Sequence, residues 1–140
     1  MDQVRNEYKL SPESVPTVSA ILQDGSIVET VYSDRPPQTA LVAWKDHAWS
    51  REPFVNVDDV KRLVPYSPSN NLISNKVVLL PSEPEEYDSE NDLVREIEAF
   101  IHRYVDVTPL FEKIASYYVL LSWIYDGFNE LPYLRLRGDR

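Results

Sequence analysis

Val18-Ser19-Ala20-Ile21-Leu22-Gln23-Asp24-Gly25-Ser26-Ile27-Val28-Glu29-Thr30-Val31-Tyr32 reads as a β-hairpin. Two β-prone runs, residues 18–22 and 27–32, flank Asp24-Gly25, and glycine reaches the positive φ of a tight turn without a steric penalty. The strand pattern continues outward from this hairpin. Pro36-Pro37 interrupts the chain, after which residues 39–44, Thr-Ala-Leu-Val-Ala-Trp, predict a third strand and residues 54–57 a short fourth. Residues 58–63 predict a brief helix, with Asp58 and Asp59 at the favourable end of its dipole. Residues 76–80, Lys-Val-Val-Leu-Leu, predict one more strand closed by Pro81. Residues 1–81 therefore read as a small, mainly antiparallel β module.

Residues 82–88, Ser-Glu-Pro-Glu-Glu-Tyr-Asp, are acidic, contain proline and lack periodicity, the pattern of a linker. A helical segment follows over residues 89–140. Ser89 with Asp92 three positions on resembles a capping box, and Leu93, Ile97, Phe100, Ile101 and Tyr104 recur on one face of a 3.6-residue period. A second helix opens at Thr108-Pro109, where proline's missing N–H costs nothing, and ends near Asp126-Gly127. Its expected inward stripe is Phe111, Ile114, Ala115, Tyr118, Leu121, Ile124 and Tyr125. Tyr117, Val119, Leu120 and Trp123 make it apolar nearly all round, so it needs cover on more than one side. Residues 133–136 alternate and predict a terminal strand. The fold class is α+β: a small mainly antiparallel β module, then two packed helices and a terminal strand.

The formal charge of -9 is shared by both parts of the chain, and neither is basic. High-affinity duplex DNA binding is disfavoured, because clustered Lys and Arg supply most of that affinity. The absence of cysteine excludes disulfides, thiolate metal sites and a cysteine nucleophile. With no apolar leader after Met1 and no apolar run near the roughly twenty residues that span a bilayer, a cytoplasmic location without membrane attachment is expected.

The ending Leu131-Pro132-Tyr133-Leu134-Arg135-Leu136-Arg137-Gly138-Asp139-Arg140 is an alternating strand that runs into Gly-x-x, the way a phosphate-binding loop begins. A complete loop needs G-x-x-x-x-G-K-[ST], of which only the first glycine, Gly138, is represented. Residues 97–140 resemble the stretch upstream of the Walker A motif in phage- and plasmid-borne P-loop ATPases of the primase/helicase-associated kind. The matching residues are Tyr104-Val105-Asp106, Trp123-Ile124-Tyr125-Asp126-Gly127-Phe128 and the Pro132-Tyr133-Leu134 strand into Gly138. The resemblance implies an N-terminal accessory or docking portion of such an ATPase, non-catalytic by itself because the nucleotide-gripping Lys is lacking. It implies no cofactor in this chain, with ATP and magnesium entering only if the chain continues past Arg140. The excess apolar surface at Tyr117, Leu120 and Trp123 is then what the missing ATPase domain would cover, or a surface for self-association.

Two alternatives come from other classes. One is a self-contained acidic domain that binds or inhibits a basic protein partner. The other is single-stranded nucleic-acid binding at Trp44, Lys45, His47, Trp49 and Arg51, where aromatics and bases interleave as in stacking platforms, with at least one of the rings expected in the core. The remaining motifs have bland readings. Asp58-Asp59 reads as capping, the acids of residues 83–92 as a solvated linker, and Arg137-Gly138-Asp139 as a chance tripeptide. His47 and His102 lack the spacing of a zinc site.

Overall fold

The computed structural model describes residues 11–135 and Arg137. These fall into two compact units that divide between Pro84 and Glu85. The fold is mixed α+β.

In the first unit a four-stranded antiparallel sheet has the order β2-β3-β4-β5, formed by β2 (Ser19–Ile21), β3 (Ile27–Asp34), β4 (Pro37–Lys45) and β5 (Ala48–Glu52). The Asp24-Gly25 signal holds: Gly25 sits at φ 82°, its N–H donates to the Leu22 carbonyl, and the Asp24 carboxylate accepts from the Ser26 N–H at 3.0 Å. Pro36-Pro37 does not end the sheet. Pro37 opens β4, which pairs with β3 over eight positions from Ile27↔Trp44 to Asp34↔Pro37.

A three-stranded sheet, β1-β7-β6, comprises β1 (Glu13–Thr17), β6 (Val55–Asn56) and β7 (Lys61–Pro65). β6 and β7 are antiparallel, whereas β1 and β7 run parallel. The expected helix over residues 58–63 is replaced by a turn into β7. The Asp58 carboxylate accepts from the N–H groups of Val60 and Lys61, each at 2.7 Å, so its capping chemistry serves a tight turn. Burial decided the difference: Leu63 is 5% exposed and packs with Val28 and Leu41, and strand alternation delivers it there. Val15, Ala20, Leu22, Ala43 and Val55 surround this cluster, which joins the two sheets. Thr30 adds a polar tie, since its hydroxyl donates to the Thr17 carbonyl and its N–H to the Val18 carbonyl, both at 2.7 Å. A second cluster, Val31, Ala40 and Val42, lies on the other face of the four-stranded sheet.

Residues 76–80 form no strand, contrary to their β-prone composition. Asn70 caps α1 (Asn71–Ser74), and Lys76 then turns the chain at φ 56°, so that the N–H groups of Val77 and Val78 both donate to the Leu72 carbonyl. Those bonds consume the donors a ladder would use. Among the described backbone groups of this stretch, the Pro81 carbonyl reaches the sheet, accepting from the Tyr32 N–H at 2.9 Å.

The second unit is a helical hairpin of α2 (Glu90–Tyr104) and α3 (Pro109–Trp123), followed by a 3-10 turn, Tyr125–Gly127. Both expected caps are present. Ser89 accepts from the Asp92 N–H and Thr108 from the Phe111 N–H. Residues 131–135 carry no strand, and Leu136 lies outside the described residues, as does Gly138.

Candidate docking surfaces

Strand alternation and register place the four candidate residues of the β module. Trp44 pairs directly with Trp49, and Val42 with Arg51, so both tryptophans and Arg51 share one face of the sheet. The rings are 40% and 46% exposed, which corrects the expectation that one of them is core. Lys45 is one residue out of phase and points to the opposite face, where its ammonium meets the Asp24 carboxylate at 2.8 Å. The hydrogen bond from Lys45 holds Asp24 well below the usual carboxylate range, and the same contact raises Lys45. The structure therefore brings Trp44, Trp49 and Arg51 together and leaves Lys45 out. That weakens the resemblance to a nucleic-acid platform, which needs more than one free cation beside its rings.

The β4–β5 connection explains why β5 was missed in the sequence. Asp46 and His47 occupy φ 51° and 61°, the two left-handed positions of a two-residue hairpin turn, without any glycine to mark them. An aspartate in such a turn was the one available signal.

Beside β5 lies a cleft of about 490 Å³, lined among others by Tyr32, Asp34, Arg51, Lys76, Leu79 and Leu80. Desolvation first, then the Asp34 carboxylate, raises the Tyr32 phenol. Lys76 approaches Asp34 at 3.5 Å, leaving Arg51 as a cation in this cleft with no partner among the described residues.

In the helical unit the three candidates do not form one surface. At 100° per residue Tyr117 and Trp123 lie on well-separated sides of α3, and Leu120 lies between them, partly covered. The side turned to α2 is marked by Ser116, which is fully buried and returns its hydroxyl to the Glu112 carbonyl at 2.9 Å, and by Glu112, whose carboxylate meets His102 Nδ1 at 2.6 Å. This hydrogen bond, and then the charge of Glu112, raises His102.

Facing away from that contact is a stripe that combines Ile114, Leu121 and Ile124, three positions expected to point inward, with Tyr117, which is expected outside the inward stripe, and Leu110. Leu110, Ile114, Tyr117, Leu121 and Ile124 recur at i, i+4, i+7, i+11 and i+14. Leu110 is 70% exposed, Ile114 46% and Tyr117 52%. No apolar side chain of α2 or α3 is buried. The spacing from Leu110 was visible in the sequence; what was not visible is that the small Ser116 side, and not the bulkier one, packs on α2.

Among the described residues no three histidine or carboxylate groups converge as a metal site would require, and no helix is long and apolar enough to cross a membrane. Compared with known proteins, the chain matches no family model, no curated protein and no solved structure.

Proposed function

We propose that this chain is a non-catalytic docking module, in which the α2–α3 hairpin is held against a protein surface through the stripe of α3. The observation that carries this reading is the continuous apolar line from Leu110 to Ile124 in a unit whose helices bury no apolar side chain. An amphipathic helix draws most of its stability from tertiary cover, and a two-helix unit this small has little of its own. Covering Leu110, Ile114 and Ile124 is worth about 1 kcal/mol or more apiece, given that full burial of such a side chain is worth about 1.5–3 kcal/mol. The partner we favour is the motor domain of a P-loop ATPase engaged in DNA transactions. Support for that choice is the resemblance carried by Tyr104-Val105-Asp106, Trp123 to Phe128 and Pro132-Tyr133-Leu134.

Light scattering on the 140-residue chain tests the docking part. The free stripe should drive self-association, and Ile114→Ser with Tyr117→Ser should reduce it several-fold while helicity is retained. Association unchanged by that pair counts against the stripe. The codons after Arg140 test the motor part: Gly-x-Gly-Lys-[Ser/Thr] supports it, and any other sequence or a stop removes it.

A further inference from the structure

In the four-stranded sheet β5 is the last strand of the order, and four of its five residues are exposed. Its hydrogen-bonding pattern follows from the turn. With Asp46 and His47 as a two-residue loop, Lys45↔Ala48 is the closing, hydrogen-bonded pair, and bonded and non-bonded pairs then alternate along the strand. Ala48, Ser50 and Glu52 thus turn their backbone groups toward β4, whereas Trp49 and Arg51 turn theirs outward. No described backbone group bonds to them from that side. A row of unpaired N–H and C=O groups is a template for another strand, which natural edges usually blunt with lysine, proline or a bulge. Here the first proline is Pro53, beyond the end of β5.

The same two residues supply side-chain recognition. Trp49 offers a half-exposed ring with Trp44 next to it, and two residues on, on the same face, Arg51 offers a guanidinium with no acid partner among the described residues. Arg51 also lines the 490 Å³ cleft, whose walls mix Leu79 and Leu80 with the charged Asp34, Lys76 and Glu83, so the edge opens onto a recess of mixed polarity. A nucleic-acid strand fits this arrangement poorly, because Lys45 faces away and the chain carries a net charge of -9. An extended peptide fits it well, since main-chain pairing supplies affinity and alternate side chains supply specificity.

We infer that the outer edge of β5 binds an extended peptide as a fifth strand, with an apolar side chain beside Trp49 and a single carboxylate two residues away on Arg51. The edge of β5 belongs to the first unit and the stripe of α3 to the second, and the two readings fail independently.

The test is amide NMR on the full 140-residue chain, titrated with acetyl-Thr-Leu-Thr-Asp-Thr-amide and with the same residues in reverse order, since either strand direction satisfies the pattern. One of the two should shift the Trp49 and Arg51 amide signals saturably, with a Kd at or below about 1 mM. Hydrogen exchange at those two amides should slow several-fold, and that of Ser50, already bonded to β4, should not. Arg51→Glu should weaken binding at least tenfold, and replacing the peptide's Asp by Lys should restore it. Trp49→Ser, also on the exposed edge, provides a second variant and should weaken binding while Arg51 remains. Absence of saturable shifts with both peptides, shifts confined to residues 110–124, insensitivity to Arg51→Glu, or tighter binding of oligothymidylate at the same amides would each overturn the inference.

Discussion

Thr30→Val is the sharpest test of how the β module is held together. Thr30 is fully buried, and its hydroxyl donates to the Thr17 carbonyl at 2.7 Å across the two sheets. Valine keeps the branched shape and replaces the donor by a methyl group. Loss of a neutral hydrogen bond costs about 0.5–1.5 kcal/mol net, and an acceptor left dry costs about 1–3 kcal/mol, so about 2 kcal/mol is expected. For a domain of this size, with a urea m-value near the low end of about 1–3 kcal/mol/M, the midpoint should fall by about 1–2 M. Trp44 and Trp49 report the transition by fluorescence because both are in the same unit as Thr30. Thr30→Ser is the decisive companion, since it keeps the donor and loses only a methyl group, at about 1 kcal/mol. If Thr30→Val proves as stable as the parent chain, or more stable than Thr30→Ser, the hydroxyl bridge is not what ties β1 to β3 and the argument fails.

Leu41→Ala, at a fully buried position between Val28 and Leu63, should cost about 2–5 kcal/mol in the same unfolding assay. Gly25→Ala should cost about 1–2 kcal/mol through backbone strain alone, because φ is 82° and no atom lies within 4 Å of the added Cβ; a neutral result would show that the turn relaxes freely. The folded pKa of His102 is raised by Glu112, so the stability from this pair is fully present below 6.5 and is lost as pH rises through the raised value. Histidine proton shifts should place His102 above 6.5 in the parent chain and bring it back toward 6.5 in Glu112→Gln, and helicity of α2–α3 should fall across that pH window.

The parts of this fold legible in the sequence are those set by local chemistry. Asp24-Gly25, Ser89 with Asp92, and Thr108-Pro109 each mark a boundary within reach of their own side chains, and each is found where those residues stand. The misreadings are places where a distant partner decided the outcome. Residues 61–65 became β7 because Leu63 fills the space between two sheets, and residues 76–80 lost their strand to backbone bonds with Leu72. Of the candidate sites, Trp44, Trp49 and Arg51 converge because strand alternation is strict, and Lys45 departs for the same reason. On α3 the periodicity was legible but its orientation was not. A helix apolar on both sides gives no internal cue as to which side meets its neighbour, and there the fully buried Ser116 settled it.

The parallel pairing of β1 with β7 has a consequence for the time course of folding. Glu13↔Lys61 and Thr17↔Pro65 join residues separated by almost the whole module, with all three hairpins of the other sheet lying between them. During synthesis those hairpins can close as soon as Glu52 has emerged, because their contacts are local, whereas β1 must wait for β7. Leu63 is accordingly the last member of the Val28–Leu41–Leu63 cluster to arrive. Until it arrives, Val28 and Leu41 present one side of a finished sheet to water, and the nascent module is at its stickiest at the moment its own closing strand is being made.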